Sequence, residues 1–133
     1  MNRSNTEAEA WAVRAWLAGA DAIVPWQSIG SDANYTHPED TALLLPGKRF
    51  GIMGPVASLR LKALRRAQQD VEYLVLLAKA RGWDREQVGA AISSLLHLGA
   101  EFRKTTEDDA GSYQFGPMCA GDFGAMRRAI AEK

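Results

Sequence analysis

Ala20-Asp21-Ala22-Ile23-Val24-Pro25-Trp26-Gln27 is the stretch on which the fold class turns. This brief apolar run with β-branched residues, preceded by Gly19 and followed by a polar loop, predicts a short buried strand of the kind parallel sheets use. Pro25 suits its end, because proline cannot donate to a strand ladder. On its N-terminal side, Thr6 to Ala18 predicts an amphipathic helix, with Thr6 and Glu9 in capping-box spacing, apolar positions at Trp11, Val13, Ala15 or Trp16 and Ala18, and Gly19 as its stop. A helix feeding directly into such a strand is half of an αβ unit, so the expected class is α/β.

On the C-terminal side, Gln27 to Asp40 is a polar loop, and Thr41 to Leu45 is a second short apolar segment stopped by the turn dipeptide Pro46-Gly47. Pro55 fits the first turn of a helix, and the clearest periodicity of the chain runs from there to Arg81. Ala57, Leu61, Leu64, Gln68, Val71, Val75 and Ala78 recur in steps of three and four, Leu74 widens the stripe, and Gly82 ends it. Asp84 with Gln87 caps a further helix whose apolar content is Val88, Ala91, Ile92, Leu95, Leu96 and Leu98. Thr105 to Gly116 reads as a polar linker, and Gly121 to Lys133 as a last helix carrying Phe123, Met126 and Ile130.

Chemistry-bearing patterns are sparse. His37, His97 and Cys119 show none of the short spacings of zinc sites, so neither a metal nor a cofactor is expected. The glycine-spaced segment Gly47 to Gly54 departs from a phosphate-binding loop, because Arg49 stands where Ser or Thr is needed. The helix, Gly82 and helix cadence resembles a helix-turn-helix, yet its second helix opens with Asp84 and Glu86, which would face phosphates. Among adjacent acids, Asp70 and Glu72 stand on one helix and point apart. Glu107, Asp108 and Asp109 form a solvated run, and Glu39-Asp40 lies in a loop. Trp26-Gln27 is a better candidate, since the carboxyl end of a strand is where α/β folds place ligands, and an indole face with an amide suits a sugar.

The 133 residues are 47% hydrophobic and 24% charged, the composition of one globular domain without a disulfide framework, for Cys119 is the single cysteine. Lys plus Arg and Asp plus Glu both number 16, so there is no global basic field, and neither nucleic acid nor a membrane is an expected partner. No apolar run approaches the roughly 18 residues of a bilayer span. Met1 to Ala10 has no basic region leading into an apolar one, so the chain carries no recognisable export signal and its compartment is left open.

Three ordered segments resemble a known family: 19–27; Leu43-Leu44-Leu45-Pro46-Gly47; and the long helix segment with Ser58, Arg60, Leu64, Arg65, Asp70, Glu72, Tyr73 and Leu74. Together they are similar to the C-terminal part of the glycoside hydrolase family 123 catalytic-domain group, where a strand ends in Trp, a hairpin reads roughly Leu-Tyr-Pro-Gly and the helix carries a Ser-x-Arg and an Asp-x-Glu-Tyr-Leu motif. Ala67 stands where the family has Gly, and Leu44 or Leu45 where it has an aromatic residue.

The resemblance implies a C-terminal fragment of a (β/α)8 TIM-like barrel, dominated by helices with one or two short strands. A full barrel takes about 250 residues. Residues 1–104 would hold its last strand or strands, hairpin and closing helices, and 105–133 a linker and terminal helix. It places Trp26, with Gln27 beside it, in the wall of a carbohydrate pocket. The family's catalytic Asp-Glu pair of an N-acetyl-hexosaminidase type has no counterpart here, because Glu39-Asp40 has the reverse order and another position, so the chain alone is expected to be inactive. Ser58, Arg60, Arg65, Gln69 and Asp70 flank the apolar stripe and are expected to tie the long helix to the hairpin, with Glu72 and Tyr73 completing the motif. The alternative is a self-sufficient helical interaction module without enzymatic activity. An unpaired strand at Ala22 to Val24 predicts a partner chain or self-association.

Overall fold

The computed structural model describes residues 5–25, 28–37, 42–96, 100–104, 106, 112–115 and 118–133. Within them lie four α-helices, α1 (Asn5–Leu17), α2 (Leu59–Arg81), α3 (Arg85–Leu96) and α4 (Ala120–Ala131). Two antiparallel hairpins accompany them: β1 (Leu44–Pro46) with β2 (Pro55–Ala57), and β3 (Ala100–Arg103) with β4 (Ser112–Phe115).

The helices bury their apolar faces against one another. Ala10 and Val13 of α1, Leu74 and Leu77 of α2, Val88, Ile92 and Leu96 of α3, and Phe123 and Met126 of α4 form one core, with Met118 at its edge. Each large side chain in it is worth about 1.5–3 kcal/mol of burial. The fourth helix thus shares the core of the first three.

This architecture corrects the expected fold class. A barrel fragment presents helices that cover a parallel sheet, whereas the described strands pair only as short antiparallel hairpins, apart from one parallel bridge between Ile29 and Leu44. Residues 22–25 are irregular, and Val24 is 85% exposed. Three apolar residues with no parallel neighbour cannot satisfy their backbone groups in a ladder, so the predicted strand does not form. Arg85 holds the chain after α1 instead. Its Nη1 donates to the carbonyls of Trp16 and Ala20, both at 3.2 Å, and its Nη2 to Asp21 Oδ1 at 2.8 Å, while the guanidinium lies 5.2 Å from the Trp16 ring centroid.

The long helix starts later than Pro55 suggests, because Pro55–Ala57 pairs with β1. Ser58 then supplies the cap: its Oγ accepts from Leu61 N–H at 3.3 Å and donates to the Ala42 carbonyl at 3.3 Å, while its N–H donates to Leu43 O at 2.9 Å. Gly82, at φ 65°, ends α2 in the left-handed conformation that favours glycine. Asp84 and Gln87 form the expected capping box, with reciprocal backbone bonds of 2.8 and 3.0 Å.

The buried stripe of α2 is Ala67, Asp70, Leu74 and Leu77 rather than the Leu64, Gln68, Val71 and Val75 line, a rotation of about 100°. Trp11 on α1 is likewise 39% exposed, with Ala10 and Val13 facing inward. Within the stretch read as a polar linker, 112–115 is strand β4.

Candidate functional site

Asp70 is 1% exposed, and an unmatched carboxylate at that depth would be held at a cost of several kcal/mol. Arg127 of α4 matches it with a two-pronged contact, Nε to Oδ1 at 2.7 Å and Nη2 to Oδ2 at 2.7 Å. The same Nη2 donates to Glu9 Oε1 of α1 at 2.5 Å. One guanidinium therefore joins three helices. Arg14 makes a second buried tie, donating from Nη2 to the Leu96 carbonyl at the end of α3 at 3.3 Å.

Burial pushes the Glu9 carboxyl above its ordinary value, the hydrogen bond to Asp70 and that residue's charge push the same way, and Arg127 acts against them. Arg127 is held above its ordinary range chiefly by its hydrogen bonds to Asp70. A carboxyl whose folded-state pKa is raised stabilises fully below its unfolded value of about 4.5 and loses that contribution as pH rises through the folded value. Glu9→Gln cannot titrate and keeps an oxygen for Arg127. Its stability relative to wild type is therefore expected to improve between about pH 4.5 and pH 7. Urea denaturation of both proteins at the two pH values measures this, and a relative stability that falls across the interval would refute it.

The β1–β2 hairpin forms a second feature. Its turn is a short 3-10 segment, Gly47–Phe50, closed by a tight approach: a Cβ on Gly47 would lie 2.1 Å from the Gly54 carbonyl oxygen. Tyr35 braces the turn. Its hydroxyl donates to the Pro46 carbonyl at 2.5 Å, its ring meets Phe50 edge to face at 5.6 Å, and the Arg49 guanidinium lies 5.1 Å from the ring centroid. Ile52 and Met53 stand outward, Met53 fully exposed, and with Ile29 they line an open hollow of about 460 Å³.

The sequence-derived candidates divide among these places. Trp26 and Gln27 lie outside the described residues, as do His97, Glu39, Asp40 and Glu107 to Asp109. On either side of 26–27, Ser28 Oγ donates to the Pro25 carbonyl at 3.4 Å, and the Ser28 carbonyl accepts from Leu43 and Leu44 at 3.1 and 2.9 Å, beside the hairpin. Ser58 links the start of α2 to the backbone of Ala42 and Leu43, just ahead of β1. Asp70 makes no such link: it turns inward to α4. Glu72 lines a groove of about 520 Å³ between α1 and α2, and Arg65 and Tyr73 border a smaller hollow beside Arg127. Arg60 is engaged in a polar interaction. Glu9, read in the sequence as the capping partner of Thr6, is instead a buried acid on Arg127, and Arg127 itself went unread. Asp70 carried the signal, since a carboxylate amid Ala67, Leu74 and Leu77 at steps of three and four requires a buried cation.

Among the described residues, no group of three or more His, Cys, Asp or Glu is placed to hold a metal ion, and no helix is long and apolar enough to cross a membrane. These features define a small helical protein whose described residues build four helices around one core. No family model, curated protein or solved structure matches the chain.

Proposed function

We propose that this chain is a helical interaction module that associates with a second copy of itself through the hairpin face. The observation that carries this reading is the group of apolar side chains left in water there: Ile29 at 70%, Phe50 at 59%, Ile52 at 48% and Met53 at 106% exposure. Single exposed apolar residues are ordinary, but a contiguous group on one structural unit marks an interaction surface. A formal net charge of zero puts no long-range repulsion between copies.

Sedimentation equilibrium over a hundredfold range of concentration tests the reading. Wild type is expected to show reversible association, and the Ile52→Asp/Met53→Asp variant to stay monomeric with unchanged helical circular dichroism. A monomeric wild type throughout the range, or a double variant that associates as strongly, would refute it.

A second reading rests on the ordered motifs at 19–27, 43–47 and 58–74, which favour a carbohydrate at Trp26 and Gln27, in a pocket that the partner completes and with the catalytic carboxylates absent from this chain. Titration with N-acetylglucosamine, followed by tryptophan fluorescence in wild type and Trp26→Ala, tests it. A saturable change in wild type that is lost in the variant supports the reading; no change in wild type ends it.

A further inference from the structure

We propose that the hollow between α2 and α4 bounded by Lys62, Arg65, Arg66, Gln69, Tyr73 and Arg127 is a binding site for the phosphate group of a small phosphorylated ligand. It goes beyond the hairpin reading and does not depend on it.

The chain as a whole is neutral, yet Leu59 to Gln69 holds Arg60, Lys62, Arg65 and Arg66 without one acid. Arg65, Arg66, Gln69 and Tyr73 stand three, four, seven and eleven residues on from Lys62, which places all five on one face of α2. Like charges at these spacings repel, and the repulsion is relieved when an anion sits among them. The face is turned about 100° from the buried stripe, so it neither belongs to the core nor packs a neighbour's apolar side chains.

The hollow itself measures about 310 Å³, ample for a tetrahedral oxyanion with an organic group attached. Four cations, an amide and a phenol line it, and Asp70 is the one acidic side chain in the wall. Both oxygens of that carboxylate already accept from Arg127, so it presents little unmatched negative charge. Arg66 contributes a guanidinium that is 63% exposed, its Nε reaching Glu9 Oε1 only at 4.0 Å. Guanidinium forks at Arg65 and Arg66 match the oxygen spacing of a phosphate, the Lys62 ammonium adds a mobile charge, and Gln69 and Tyr73 supply neutral donors. Tyr73, half exposed, also offers a ring face to an attached planar or sugar group.

Titration of the full chain with inorganic phosphate and pyrophosphate at low ionic strength, followed by two-dimensional amide NMR, tests the proposal. Saturable shifts confined to α2 and α4 are expected, tighter for pyrophosphate, and sodium chloride at equal ionic strength should not reproduce them. Arg65→Ala/Arg66→Ala is expected to weaken binding by about tenfold or more, because two charge-assisted contacts are removed. Should that double variant lose its fold, Lys62→Gln provides the same test with a smaller loss. No saturable response, or a response unchanged in these variants, would overturn the site. So would binding of a long polyanion such as heparin that pyrophosphate cannot displace, for that describes a diffuse basic surface and not a pocket. Self-association through the hairpin is measured independently and is expected to be the same in all of these variants.

Discussion

Arg127→Ala is expected to lower stability by about 3 kcal/mol, from the roughly 3–5 kcal/mol lost when one member of a buried ion pair is removed, placed at the low end because Arg127 is 27% exposed. For a chain of 133 residues that corresponds to about 10 °C in Tm. The loss comes mainly from what is left behind. Asp70 and Glu9 face each other across the α1–α2 contact, and without the guanidinium two carboxylates share one poorly hydrated space. Two further outcomes separate this cause from lost packing. Arg127→Met keeps most of the volume and is expected to be nearly as destabilised. Adding Asp70→Asn to it should recover about half of the loss, because the remaining buried charge is gone.

Acid sharpens the distinction. In Arg127→Ala the Glu9 carboxyl, already held above its ordinary value, loses the cation that pulls it down, so stability is greatest below its unfolded value and declines as pH rises through the folded one. The variant is therefore expected to lie closest to wild type in mildly acidic buffer and furthest from it at neutral pH. Thermal melts across that range measure the gap. A gap that is constant with pH would show that Arg127 acts through packing alone.

The same residues explain what the sequence disclosed and what it withheld. Local signals were legible where the physics is local: Asp84 and Gln87 cap α3, Gly82 stops α2, and Val88, Ile92 and Leu96 line up four apart. The α/β class failed because it rested on Ile23 and Val24, whose strand character depends on neighbours that a run of residues cannot specify. The face of α2 failed for a related reason. Apolarity alone selects Leu64, Val71 and Val75, while the folded chain buries Asp70, because the energy of that position belongs to Arg127, 57 residues away. The hairpin turned on Gly47, whose close approach to Gly54 is a through-space requirement that the turn dipeptide only hints at. As for the candidate site, the cap at Ser58 was hidden by Pro55, whose fitness for a first helical turn competes with its pairing in the hairpin. The basic hollow needed the angular placement of α4 against α2, which no spacing encodes.

Phe123→Ala is the change expected to have the largest effect. Phe123 is 1% exposed in the first turn of α4, where its ring fills the core beside Met126 and lies 5.9 Å from the Arg127 guanidinium. Removing a buried phenyl ring costs about 3–5 kcal/mol in lost transfer energy and cavity, or roughly 10–18 °C for a domain of this size. The first turn of α4 is otherwise fixed by polar contacts at its start: Cys119 N–H donates to Asp122 Oδ2 at 2.7 Å, and Thr6 Oγ1 to the Met118 carbonyl at 2.9 Å. Neither replaces an apolar anchor, since exchange of such bonds with water nets only about 1 kcal/mol each. If Phe123 and Arg127 both act by docking α4, the helix can be lost only once. The double variant Phe123→Ala/Arg127→Ala should then fall short of the summed single effects by more than about 0.5 kcal/mol, whereas independent sites add within that margin. Denaturant titration of the four proteins, with equal m-values as the check on two-state behaviour, gives the coupling directly. Additive losses would mean that the ring and the guanidinium stabilise separate parts of the core and that α4 is not held as a unit.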